Sequence, residues 1–370
     1  MIIWFFFLFF LFWLLGLYNV ISTKHKIYVY IIITILIVYF SAFRDGLGMD
    51  YVAYKEQCER IRPLPDEYIL LFEPLFVKFT NYICISPFSY VFFFLITSII
   101  INTSCLFVYY RTTNFSLATF FFVCFPGLFI MSFNTLRQFI VASIFLLISY
   151  IWYYKYNSKD TSKIRILLLI LLLITFFIHK SAIILIPILF VGKWKIRPLI
   201  AILILLITYI IPFSSIPFIG VGMKIIEALN YDFYMDYDNT VVSKFSLTNI
   251  YLNIITIIIL YKLYYKQNVI SNIRNASYLS LFYNFSYIMI FFCMVTYNLC
   301  ANGFVILYRL AIYFIVFLPV LIGLLPKLIY KPFAYCLVIL PTLILLSVRF
   351  ITGNEYLIPK HILPFLSIFK

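Results

Sequence analysis

Residues Lys26 to Tyr54 read KIYVYIIITILIVYFSAFRDGLGMDYVAY. An apolar run that lasts through Phe40 gives way abruptly to Arg44, Asp45 and Asp50, with Gly46 and Gly48 between them. The run is a spanning helix: a bilayer core offers the backbone no hydrogen-bond partners, and a helix satisfies its own. The charges mark where that span meets water. The glycines permit a tight turn, which can hold Arg44 and Asp50 against one polar ligand. A solvated loop with a snorkelling arginine is the plain alternative.

The rest of the chain extends this pattern. Of 370 residues, 65% are hydrophobic and only 11% charged, against about a quarter charged in soluble domains. The fold class is therefore all-α, a polytopic integral membrane protein. With about 20 apolar residues per span, the sequence predicts about twelve spanning helices, near 2–21, 27–43, 88–110, 115–133, 138–154, 164–179, 181–192, 198–213, 248–265, 276–299, 305–325 and 332–350. The span 181–192 is short. Residues 69–85 are amphipathic and suit an interfacial or re-entrant helix. The N-terminal IIWFFFLFFLFWLLGLYNV lacks a basic leader and a small-residue cleavage site, so it reads as a retained first span. Tyrosines such as Tyr28, Tyr109, Tyr110, Tyr153, Tyr154, Tyr264 and Tyr265 lie near span ends, as an aromatic belt does. Residues 1–370 form one transmembrane domain, with longer outer segments at 44–87 and 214–247.

The net charge of +15 would suit a nucleic-acid partner, but its distribution argues against one. With the N-terminus outside, the inner loops hold fifteen cations (Lys24, Lys26, Arg111, Lys155, Lys159, Lys163, Arg165, Lys193, Lys195, Arg197, Lys262, Lys266, Arg274, Lys327, Lys331) against the single acid Asp160. Of 28 cations and 13 acids, 13 cations and 12 acids remain outside, so the inner face carries +14 and the outer about +1. Membrane insertion alone accounts for the excess. Cys58, Cys84, Cys105, Cys124, Cys293, Cys300 and Cys336 show no ligand spacing and read as small buried residues. Cys58 and Cys300 both map outside, with no pairing legible.

The outer edge then collects the chemistry. Glu73-Pro74 fits a helix start, with proline in the first turn and the carboxylate at the positive end of the dipole. Asn134, Arg137 and Gln138 share one helix face at i, i+3 and i+4. An arginine at the outer edge gains nothing from the positive-inside bias, and its paired donors suit a diphosphate. His179-Lys180-Ser181 and Tyr308-Arg309 end other spans on the same side, where ionisable residues point to function. Asp232 and Asp236-Tyr237-Asp238-Asn239 read as a solvated acidic loop rather than a metal site.

Taken in order, Arg44…Gly48-x-Asp50-Tyr51-x-x-Tyr54, Glu73, Asn134-x-x-Arg137-Gln138, His179-x-Ser181 and Arg309 with Tyr313 resemble the EpsG/Wzy type of bacterial polysaccharide repeat-unit polymerase. The resemblance implies a lipid-dependent glycosyltransferase of GT-C-like fold in the bacterial cytoplasmic membrane, with its active site facing the periplasm or cell exterior. Its substrates would be undecaprenyl-diphosphate-linked oligosaccharide donor and acceptor, with membrane lipid around it and a chain-length regulator as a partner. It implies no cofactor, no metal and no nucleotide sugar. On that reading Arg137, Arg309 and Arg44 hold the diphosphate. His179, Glu73 or Asp50 takes the acceptor proton, and Asp45, Tyr51, Tyr54 and Gln138 meet sugar. An O-antigen ligase would share this outer-face logic. A flippase would show internal repeats and mid-membrane charges, and a glycan acyltransferase would place its histidine inside.

Overall fold

The computed structural model describes residues 2–44, 46–48, 51, 54–56, 58, 74–84, 89–126, 128–154, 161–194, 196–211, 247–265, 276–300 and 305–351. Among them every regular element is helical. In chain order they are α1 (Ile2–Val20), α2 (Lys26–Ala42), α3 (Pro74–Cys84), α4 (Ser89–Thr112), α5 (Phe115–Cys124), α6 (Met131–Asn134), α7 (Leu136–Tyr154) and α8 (Thr161–Phe176). A 3₁₀ turn (Lys180–Ile184), α9 (Leu185–Ile188) and a second 3₁₀ turn (Val191–Lys193) follow, then α10 (Pro198–Ile210), α11 (Leu247–Tyr265), α12 (Ala276–Cys300), α13 (Val305–Ile315), α14 (Leu318–Ile322), α15 (Leu325–Leu328) and α16 (Lys331–Ile351). Five helices among the described residues are long and apolar enough to cross a membrane, and five shorter apolar helices accompany them.

The bundle is built around α7, which packs against α4, α8, α12 and α13. Phe145 and Tyr153 of α7 meet Phe285 of α12, and Phe145 also meets Phe317. Every residue of α5 is buried. The outer helices turn apolar side chains outward: Phe5, Phe6, Phe9 and Trp13 on α1, and Ile166, Leu167 and Ile170 on α8. In water such faces would associate; in a bilayer they are the lipid surface.

Several expected spans are interrupted, each with a local cause. Span 115–133 stops at Cys124, because Pro126 forces Phe125 into extended backbone (φ −73°, ψ 122°). Span 181–192 is not one helix; Pro187 has no N–H to donate, and two 3₁₀ turns flank a single α turn. Span 305–325 divides ahead of Pro319. Interior Pro341 of α16 is accommodated without a break.

Polar side chains tie the helices together. Asn253 of α11 and Asn298 of α12 exchange amide hydrogen bonds at 2.9 and 3.1 Å, and the Asn298 amide also reaches Thr208 of α10. At the far end of α7 the Tyr153 hydroxyl donates to the Leu189 carbonyl (2.6 Å) and accepts from Gly192 N–H (3.0 Å). A β-carbon on Gly192 would lie 2.2 Å from that hydroxyl, so only glycine allows this approach. The Asn284 amide donates to the Gly192 and Trp194 carbonyls.

Cys58 and Cys84 form a disulfide that ties the first outer segment to the end of α3. Sequence alone had left Cys58 unpaired and Cys84 apolar; the spacing of 26 residues carries no pairing signal. Cys105, Cys124 and Cys293 are free and buried as expected, while Cys336 is exposed.

Candidate functional site

Site residues come from helix ends and turns at the Arg137 end of α7. The helix α6 closes at Thr135, whose backbone (φ −122°, ψ 52°) is not helical, and α7 begins at the next residue. Asn134 and Arg137 therefore belong to different helices, and the expected common face of Asn134, Arg137 and Gln138 is not formed. The break instead places Arg137 in the first turn of α7. A cation at the positive end of a helix dipole is unfavourable by itself and suits a place where an anion comes. The ring of Phe76, on α3, lies 5.8 Å from the Arg137 guanidinium.

His179 lies beyond the last residue of α8, in the turn before the 3₁₀ segment. Its Nδ1 is 2.8 Å from Ser181 Oγ and 3.1 Å from the Tyr313 hydroxyl, and those two oxygens are 2.7 Å apart. Tyr313 is fully buried and His179 is 9% exposed. Arg309 stands one turn before Tyr313 on α13, so both fall on one helix face. Burial first, then the charges of Arg137 and Arg309, push the His179 pKa from 6.5 down to about 3. The imidazole is therefore neutral at neutral pH. Among the described residues its Nε2 has no hydrogen-bond partner.

Arg44 holds a different position. Its guanidinium lies between the rings of Phe94 (4.7 Å) and Phe133 (4.3 Å), and the residue is 3% exposed. Gly48, at φ +101°, lets the chain close on Phe133; a β-carbon there would come within 2.9 Å of the Phe133 carbonyl oxygen. Arg44 and Gly48 thus pack on Phe133, just ahead of Arg137. Tyr51 is buried and stacked on Phe94, and Tyr54 lies against Phe76 and Phe93. Burial of Tyr51 against α4 leaves no open ring face for a sugar, whereas Tyr54 stays partly exposed while packing on α3 and α4. Gln138 is 4% exposed, and neither amide atom has a hydrogen-bond partner among the described residues. Asp45, Asp50, Glu73, segment 214–246 and the acidic stretch at 232–239 lie outside the described residues. Helix α3 does begin at Pro74, as read from sequence.

Arg137 and Arg309, from segments far apart in the chain, both lie near enough to His179 to act on its charge. The structure joins Ser181 and Tyr313 to His179 by hydrogen bonds, two residues that the sequence placed in the pattern without a role. Their signals were the His-x-Ser spacing and the Arg309-to-Tyr313 interval of one helical turn. Among the described residues no group of three or more His, Cys, Asp or Glu side chains gathers as a metal site would require.

A profile of the EpsG family matches residues 26–365, which includes every segment of this cluster. The chain belongs to the EpsG family. That family comprises Wzy-type polysaccharide polymerases. No curated protein and no solved structure matches the chain. Family membership and the apolar helices place this EpsG protein in a membrane, in polysaccharide synthesis.

Proposed function

We propose that this EpsG-family protein polymerises undecaprenyl-diphosphate-linked oligosaccharide repeat units on the outer face of the bacterial cytoplasmic membrane. It moves the growing glycan from its lipid diphosphate onto the next lipid-linked unit. The observation that supports this reading is the hydrogen-bonded cluster of His179, Ser181 and Tyr313, with the charges of Arg137 and Arg309 acting on the same imidazole. Glycosyl transfer leaves negative charge on the departing diphosphate, and preorganised guanidinium groups stabilise that charge with paired donors.

Two observations support the outer face. The inner loops carry fifteen of the 28 cations and one of the 13 acids. The Cys58–Cys84 disulfide suits an oxidising compartment. The reading keeps about twelve spans in a GT-C-like fold, of which five long helices and five shorter apolar ones lie among the described residues. Arg137 and Arg309 bind the diphosphate, and Arg44 anchors the first outer segment beside them. The sequence candidates for taking the acceptor proton are His179, Glu73 and Asp50.

Alanine substitution of Arg137 and of Arg309 tests this reading. Each variant, inserted and folded, should abolish long glycan and leave lipid-linked acceptors carrying one repeat unit. Normal glycan ladders from both variants would remove the assignment. Long chains accumulating on the carrier lipid would indicate a ligase instead.

A further inference from the structure

The contacts around His179 restrict where its proton can sit. Nδ1, Ser181 Oγ and the Tyr313 hydroxyl form a triangle with sides of 2.8, 2.7 and 3.1 Å. A phenol is far more acidic than an aliphatic alcohol, which favours Tyr313 as the donor to Ser181. Ser181 then has one proton to give, and Nδ1 is its other hydrogen-bond partner among the described residues. The chain Tyr313 O–H to Ser181 O–H to Nδ1 runs in one direction, each bond polarising the next. With Nδ1 accepting, a neutral imidazole carries its proton on Nε2. Two guanidinium groups beside the ring disfavour a second proton.

We propose that His179 is a neutral hydrogen-bond donor, through Nε2–H, to the diphosphate of the lipid-linked glycan, and that Ser181 and Tyr313 are positioning residues that fix this tautomer. This rests on the reading that Arg137 and Arg309 bind a lipid diphosphate. In the transfer step the bond from the sugar anomeric carbon to the diphosphate oxygen breaks, and its electron pair stays on that oxygen. The acceptor oxygen forms the new glycosidic bond. Its proton leaves to a carboxylate or to water, not to His179. The imidazole gains and loses no proton; it lends Nε2–H to the oxygen on which charge builds. Neutrality is an advantage here, because such a donor adds no third positive charge to those of Arg137 and Arg309.

The decisive comparison is His179→Gln against His179→Ala in the full chain, read as glycan chain growth in cells lacking the native copy. Glutamine can donate as Nε2–H does but cannot act as a base. His179→Gln should keep chain growth within about tenfold of wild type, whereas His179→Ala should lose about 100- to 1000-fold, the usual effect of removing one such donor. Ser181→Ala leaves Tyr313 within reach of Nδ1, and Tyr313→Phe leaves Ser181. Each alone should cost little, and the double variant should cost more than the product of the two.

The tautomer is measured separately by nitrogen NMR of ¹⁵N-histidine-labelled full chain in nanodiscs. The chain has only three histidines, His25, His179 and His361, so loss of one signal set in His179→Gln assigns them. Nδ1 of His179 should be unprotonated and Nε2 protonated, and inorganic pyrophosphate should shift the Nε2 signal. A protonated Nδ1 would overturn the proposal. So would a folded His179→Gln as inactive as His179→Ala. If the arginine variants leave glycan unchanged, the polymerase reading falls on its own, and the tautomer and pyrophosphate response still judge His179.

Discussion

The segment from His179 to Trp194 is bonded at both ends to α7 and its neighbours, in opposite ways. At the Gly192 end, the side chains of Tyr153 and Asn284 bond to backbone: the Leu189 carbonyl, Gly192 N–H, and the Gly192 and Trp194 carbonyls. At the His179 end, side chain meets side chain, with two guanidinium charges alongside. Most protein side-chain hydrogen bonds go to backbone, and those between side chains are the minority. Backbone bonding holds a segment in place irrespective of chemistry. An imidazole and two hydroxyls bonded to each other beside two cations hold specific atoms in place, which is what a reaction requires.

This contrast is open to direct attack. The largest effect expected separates activity from stability. Arg137→Ala or Arg309→Ala should lower chain growth about 100-fold or more while the protein purifies as a folded species. Asn284→Ala should instead lower the melting temperature, by the equivalent of about 1 kcal/mol for an interhelical hydrogen bond, with activity per folded molecule unchanged. Glycan ladders and melting curves on the same preparations would expose a failure of either half.

The two glycines offer a matched pair. Gly48→Ala meets Phe133 and an unfavourable φ, a strain of about 1–3 kcal/mol, next to the segment that leads into Arg137. It should reduce both melting temperature and chain growth. Gly192→Ala meets Tyr153 and should reduce melting temperature alone. Equal loss of activity per folded molecule in both would erase the distinction between the ends.

Cys58→Ser with Cys84→Ser removes the covalent tie to α3, whose Phe76 lies on Arg137. Closing a loop of this size stabilises by about 3 kcal/mol on a chain-entropy argument. The double variant should melt earlier and lose severalfold in chain growth, and activity unchanged in the presence of reductant would show that Arg137 is held without it.

The smallest effect concerns pH. The folded pKa of His179, about 3, lies below the reference 6.5. Below pH 6.5 the unfolded chain takes up a proton that the folded chain resists. The stability this residue contributes is therefore complete above pH 6.5 and is lost as pH falls toward 3. Between pH 7 and 4 the wild type should lose more melting temperature than His179→Gln. Parallel curves would show that the imidazole titrates normally.

Sequence was strongest where one physical constraint dominates. Apolar runs predict helices because a bilayer leaves the backbone no other choice, and the charged residues stand out because charge is scarce here. Thr135 was invisible: a break between two apolar segments has no compositional signal, so Asn134 and Arg137 were assigned to one helix. Following a charged turn, Tyr51 reads as an exposed ring, and only its stacking on Phe94 shows that it is buried. Ser181 and Tyr313 are 132 residues apart, and nothing local to either names the other. The Cys58–Cys84 bond was hidden for the same reason.

Arg309 and Tyr313 are separated by a single helical turn, a rise of about 6 Å. The guanidinium and the phenol are therefore stacked like two rungs, one above the other along α13. Adding or deleting one residue between them would swing the phenol by about 100° and part it from Ser181, though no side chain in the cluster had been altered. At this place the spacing of the residues matters as much as their identity.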